Sequence, residues 1–139
     1  MANAVRISEA CSLALHTMTL LARKGNACCS TRRLADELGA SADHLSKVLQ
    51  RLAKAGLLQS TRGVHGGCRL ARSPEQITLL KIYETIDGPF VFGRCVLGKP
   101  HCSGLDCMFG GFLERANIEI HRELSQHTLA DTIPAGIAT

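Results

Sequence analysis

A chain of 139 residues, 45% hydrophobic and 20% charged, suits one compact domain, or a domain with an oligomerisation appendage, and is long enough to bury a core. No apolar run approaches the roughly 18 residues of a membrane span, and the opening MANAVRISEACSLALHTM has no basic leader followed by an apolar stretch and cleavage site, so a cytoplasmic location and no membrane partner are expected. The formal charge of +4 hides an asymmetry: residues 1–74 carry eleven Lys/Arg against four Asp/Glu (+7), whereas residues 75–139 carry five against eight (−3).

A basic half of this size suggests a polyanionic partner, nucleic acid foremost, although a solvated basic surface has the same charge. From Ile7 to about Lys24, apolar residues are dense on nearly every face (Ala10, Leu13, Leu15, Met18, Leu20, Leu21), which predicts a helix buried on most sides and stopped by Gly25 and Asn26. Ser30 or Thr31 offers an N-cap to a short helix, RRLADELG, closed by Gly39. Ser41 caps the next helix, ADHLSKVLQRLAKAG, in which Leu45, Val48, Leu49 and Leu52 form one apolar stripe. Two short helices joined by a tight turn match a helix-turn-helix. LLQSTRGVHGGCRLAR then reads as two strand-like runs around a turn holding Gly63, Gly66 and Gly67, a β-hairpin wing.

With its stripe turned inward, the second helix of the pair presents Asp43, His44, Lys47, Gln50, Arg51 and Lys54 on the other side. A helix fits the major groove of double-stranded DNA, where residues of its N-terminal part reach base edges and flanking cations meet phosphates. Asp43, Ser46 and Lys47 are expected at bases, with His44 and Arg51 on the same DNA face and Arg62 of the wing at a phosphate or in the minor groove. The helix alone reads equally as an ordinary amphipathic one; the preceding helix, the wing and the +7 balance favour DNA.

Seven cysteines in a reducing compartment argue for metal or redox chemistry rather than disulfides, and the odd number would leave one unpaired. Cys95, Cys102 and Cys107 are spaced C-x6-C-x4-C in a glycine-rich stretch and can converge on one soft metal centre. Zinc fits less well, because structural zinc sites favour C-x2-C pairs and four ligands, and His101 adjoins Cys102. A metal-free thiol sensor stays open. Cys28, Cys29 and Cys68 read as small buried or half-exposed thiols. After Cys107, residues Phe109, Phe112, Leu113, Ala116, Ile120 and Leu124 recur at helical spacing, marking a long C-terminal helix suited to pairing with its twin, with Glu114, Arg115, Glu119 and Arg122 on the wet side. No phosphate loop, Gly-x-Ser-x-Gly or paired carboxylate is visible, so no enzyme is expected.

RLADELGASADHLSKVLQRLAKAGLLQSTRGVHGGCRLAR followed by ITLLKIYETIDGP resembles the Rrf2 family of bacterial winged helix-turn-helix regulators, with the RG-x-x-GG-x-x-LAR wing as its most specific mark. The resemblance implies a mainly α fold with a small hairpin wing: a DNA-binding region at 1–74, a connecting helix and cysteine-rich loop at 75–107, and a dimerisation helix and tail at 108–139. It implies a homodimer on a palindromic operator. In several branches it also implies an iron–sulfur cluster, 2Fe-2S or 4Fe-4S, held by three cysteines, here Cys95, Cys102 and Cys107. Some relatives add a histidine where this chain has Gly110; others take a ligand from the partner's first helix, which singles out His16, with Ser12 at the acidic position and Glu9 and Cys11 nearby. The expected function is a regulator sensing redox state, iron–sulfur status or nitric oxide. The alternatives are a cluster-free thiol regulator and an electron-carrying cluster protein that does not bind DNA.

Overall fold

The computed structural model describes residues 6–95, 107–109 and 111–135. Helices α1 (Glu9–Arg23), α2 (Thr31–Leu38) and α3 (Ala42–Lys54) precede a hairpin of β1 (Leu58–Thr61) and β2 (Gly67–Leu70). A 3-10 turn at Pro74–Gln76, helix α4 (Leu79–Asp87), helix α5 (Phe112–Gln126) and a 3-10 turn at Leu129–Thr132 follow. Four of the five helices begin on a hydroxyl: Ser8, Ser30, Ser41 and Thr78 accept from the N–H of Cys11, Arg33, His44 and Lys81. Each satisfies a donor that the first turn leaves without a helical partner. Gly39, left-handed at φ 63°, closes α2 and turns the chain into α3.

The core sits where α1, α3, α4 and the wing root meet, around Met18, Leu21, Leu34, Leu45, Leu52, Leu57, Ile77 and Ile82, all fully buried. Leu129 belongs to the same core, carried there by a hydrogen bond from its N–H to Ile77 O (2.9 Å) and another from Leu79 N–H to His127 O (3.0 Å). Helix α1 departs from the expectation of burial on most sides. It buries Cys11, Ala14, Thr17, Met18, Leu21 and Ala22, but Leu13, Leu15 and Leu20 stay half-buried and His16 is exposed. A helix of small and aliphatic residues can be apolar all round while its own protomer covers only one side.

The hairpin pairs antiparallel from Leu58↔Leu70 to Thr61↔Gly67, so Gly67 opens β2 and does not lie in the turn. Its root is lashed to the loop before α2: Cys29 and Cys68 exchange two backbone hydrogen bonds of 2.9 and 2.8 Å. A Cβ on Gly67 would lie 2.2 Å from Cys29 O, and one on Gly66 would lie 2.4 Å from Thr61 O. The paired glycines of the wing are thus required by close backbone approach.

Candidate DNA-binding face and metal centre

Helix α3 places its residues about 100° apart, so the outer residues divide into a centre and two flanks. Asp43, Lys47, Gln50 and Lys54 lie at the centre and are exposed. Ser46 is half-buried on the flank toward the wing. There it lines a polar notch of about 240 Å³ with Gln50 and with Ser30, Thr31, Ser60 and Thr61, whose hydroxyls composition does not single out. His44 and Arg51 occupy the opposite flank, toward the protein's own body. His44 is half-buried at a cleft shared with α1, and Arg51 donates from Nη2 to Ile86 O at 2.5 Å and to Thr85 O at 3.4 Å. Arg62 stands exposed just after β1, at the start of the wing's turn. The outward centre, flanked by a hydroxyl notch and a basic wing residue, offers cations and hydrogen-bond donors to a polyanion.

The cysteine segment is positioned by its approach. After α4, Phe90 N–H donates to Glu84 Oε2 (3.0 Å), and the rings of Phe90, Phe92 and His121 pack at centroid distances of 4.8–5.0 Å. Asn117, the one buried residue of α5, donates from Nδ2 to Gly93 O at 2.5 Å, and Arg94 pairs with Glu114 at 3.2 Å. These attachments lay residues 90–94 along α5, with half-buried Cys95 next in the chain; Cys107, five residues before α5, is half-buried too. Sequence periodicity missed Asn117 and His121, because their partners Gly93, Phe90 and Phe92 are more than twenty residues away. Cys102 and Gly110 lie outside the described residues. Among the described residues, no three His, Cys, Asp or Glu side chains converge on one point.

His16 is an exposed residue of α1, not a core histidine. Its Nδ1 lies 2.7 Å from Ser12 O, and a carbonyl only accepts, so Nδ1 carries the proton and Nε2 of the neutral ring keeps its lone pair. The ring lies between two clefts. One, of about 440 Å³, is lined by Leu15, Leu20, Leu79 and Leu124; the other, of about 410 Å³, by Glu9, Ser12, Ser41 and His44. The second cleft brings His16 and the start of α3 to one opening. Cys11 is different: it is fully buried, and burial together with the Asp87 carboxylate, to which its thiol hydrogen-bonds, pushes it up to about 12. A protonated thiol turned into the core is a poor ligand. Cys29 and Cys68 are buried at the wing root, and burial pushes Cys68 up to about 11; Cys28 is exposed.

A serine-capped helix pair, a glycine-dependent wing and an outward centre of Lys47, Gln50 and Lys54 define a winged helix-turn-helix DNA-binding protein. The chain belongs to the Rrf2 family, whose model, described as an iron-dependent transcriptional regulator, matches residues 7–135. It is 30% identical over 132 residues to the HTH-type transcriptional regulator NsrR of Bacillus licheniformis, spanning 93% of this chain and 92% of that one. Among solved structures it is similar to CymR (YrzC), the global cysteine regulator of B. subtilis, at TM-score 0.76 and 27% identity, covering 91% of this chain and 95% of that one. It is also similar to T. potens IscR, at TM-score 0.69 and 28% identity, covering 91% and 85%. The chain is a transcription regulator of this family and not an enzyme. No helix of the described residues is long and apolar enough to cross a membrane.

Proposed function

We propose that this regulator acts in the cytoplasm as a homodimer on a palindromic operator, and that it senses redox state, iron–sulfur status or nitric oxide through an iron–sulfur cluster. Cys95, Cys102 and Cys107 of one subunit would hold the cluster, with His16 of the other as the remaining protein ligand. The observation that carries the reading is the state of His16: exposed, with Nδ1 tied to Ser12 O, it offers Nε2 outward, as a ligating imidazole whose other nitrogen is anchored does. The donor set fits as well. Cys95 and Cys107 are half-buried, Cys95 follows a segment anchored at Glu84, Asn117 and Glu114, and thiolate with imidazole suits iron–sulfur chemistry. When bound, such a cluster supplies a one-electron couple and a reactive target for small oxidants. The chain's own residues orient the cysteine segment, present the imidazole and carry the DNA face of Asp43, Ser46, Lys47 and Arg62.

A cluster-free thiol regulator is the second reading, favoured by the similarity to a global cysteine regulator and by exposed Cys28. Membership of a transcription-regulator family tells against an electron carrier that does not bind DNA. Anaerobic purification with iron and acid-labile sulfide analysis separates the readings. Iron and sulfide are expected in wild type, and each of Cys95→Ala, Cys102→Ala and Cys107→Ala should lose them while Cys28→Ala keeps them. Zinc without sulfide, or no metal at all, would overturn the cluster. His16→Ala should alter the visible spectrum; an unchanged spectrum removes His16 from the ligand set.

A further inference from the structure

Arg51 is an exposed residue of the recognition helix whose guanidinium is tied back to the protein. Its guanidinium meets Ile86 O at 2.5 Å and Thr85 O at 3.4 Å. Both carbonyls belong to the last turn of α4, where no helical N–H remains to satisfy them, and a cation there also meets the negative end of the helix dipole. That same turn has two other attachments. Asp87 accepts from the Ser8 N–H (2.9 Å) and from the Ser8 hydroxyl, holding the start of α1. Glu84 accepts from the Phe90 N–H (3.0 Å), holding the start of the cysteine segment. Four consecutive residues, 84–87, therefore gather the recognition helix, the helix bearing His16 and the segment leading to Cys95.

We propose that Arg51 is a positioning residue that couples the placement of the cysteine segment to that of the recognition helix, and that it makes no DNA phosphate contact. The inference rests on the reading of the cysteine segment as the sensing element. Its physical basis is that α4 is short and its end is shared. A shift of residues 88–95 pulls on Glu84 and Gly88, the turn moves with them, and Arg51 draws α3 along. His44, seven residues earlier, shares the flank of Arg51 and faces the α1 cleft, so both outer-face residues that turn toward the protein's body lie on one flank. The opposite, wing-side flank is free to keep its place on the duplex.

The test uses cluster-free protein and a duplex selected by wild type from a random pool. Operator Kd is measured against salt for wild type, Arg51→Gln, Glu84→Ala and the double variant. A lost phosphate contact lowers the slope of log K against log salt by about 0.9. Arg51→Gln is expected to keep the wild-type slope. Glu84→Ala is expected to change affinity at least about threefold in wild type, but to have little effect once Arg51 is gone, since the route is already cut. Arg51→Lys, which keeps a donor for one carbonyl, should restore part of the coupling and serves if Arg51→Gln is poorly folded. A slope lower by about 0.9 in Arg51→Gln, or strictly multiplicative effects in the double variant, overturns the proposal. Because no cluster is present in these measurements, a failure to find iron and sulfide would sink the sensing reading and leave both arms readable.

Discussion

Helix α3 buries four apolar side chains, Leu45, Val48, Leu49 and Leu52, within 13 residues. Helix α5, two residues longer, buries one side chain, and that one is the amide of Asn117. Its apolar positions Leu113, Ala116, Ile120 and Leu124 are only half-covered, while Phe112 and Ile118 are 55% and 43% exposed. The difference teaches that the two halves of the chain are completed differently. Helix α3 buries its whole apolar stripe within one protomer and keeps a charged outer face. The C-terminal half anchors the cysteine segment through specific polar and aromatic contacts and leaves apolar surface open. Burying that surface yields its roughly 25 cal/mol per Å² only when something covers it, and a second copy of this chain is the cover our proposed homodimer supplies.

The sharpest contrast is in stability. Leu45→Ala, a deletion at a fully buried position, should cost about 2–5 kcal/mol in denaturant unfolding and lower the yield of folded protein. Ile118→Glu should cost less than about 0.5 kcal/mol in the protomer, as exposed substitutions do, yet shift the mass in sedimentation from dimer toward monomer. An unchanged mass would place the dimer contact elsewhere than α5.

DNA binding divides the halves in the same way, with a smaller effect. Lys47→Ala and Arg62→Ala should each weaken operator binding by about 1–3 kcal/mol without loss of fold. Arg122→Ala on α5, whose guanidinium is paired with Glu119 at 2.5 Å, should leave it unchanged. Equal losses from Arg122→Ala and Lys47→Ala would mean that general charge, not a defined face, attracts the duplex. Wild-type affinity should fall steeply with salt as counterions are released.

The smallest effect concerns the buried thiols of the DNA-binding half. Cys11 and Cys68 are pushed up from an ordinary 9.0 to about 12 and about 11, chiefly by burial. Above pH 9 the unfolded chain therefore releases protons that the folded core retains, and stability must fall as pH rises, until the folded thiols ionise in turn. By about pH 9.5 the loss is under about 1 kcal/mol per thiol. Urea unfolding between pH 8 and 9.5 would detect it, and Cys68→Ala should flatten the slope. A stability that does not decline with pH would show that these thiols ionise as readily folded as unfolded.

The order of three helices and a hairpin was legible because each signal is local. Ser30 or Thr31 and Ser41 announce caps, the Leu45–Leu52 stripe announces a one-sided helix, and Gly63, Gly66 and Gly67 announce a turn. Gly63 and Gly66 were legible as a turn, but Gly67, which opens β2, was not legible as a place of close approach, since the neighbour that excludes a Cβ there is Cys29, far away in sequence. The spacing of Cys95, Cys102 and Cys107 marked a candidate centre. What holds its first member did not show, because the partners of residues 90–94 lie on α4 and α5.

Periodicity tells which residues share a helix face; it is silent on what that face meets. Caps, periodicity and spacing determined by themselves a mainly helical chain with a hairpin wing and a concentrated thiol segment, because these depend on neighbours within a turn or a hairpin. Tertiary structure alone decided that His16 stands outside the core, that Arg51 donates to the last carbonyls of α4, and that Asn117 bonds the backbone of Gly93. Each of these rests on a hydrogen-bonding group or a surface brought near by packing, and packing joins residues that no local rule relates.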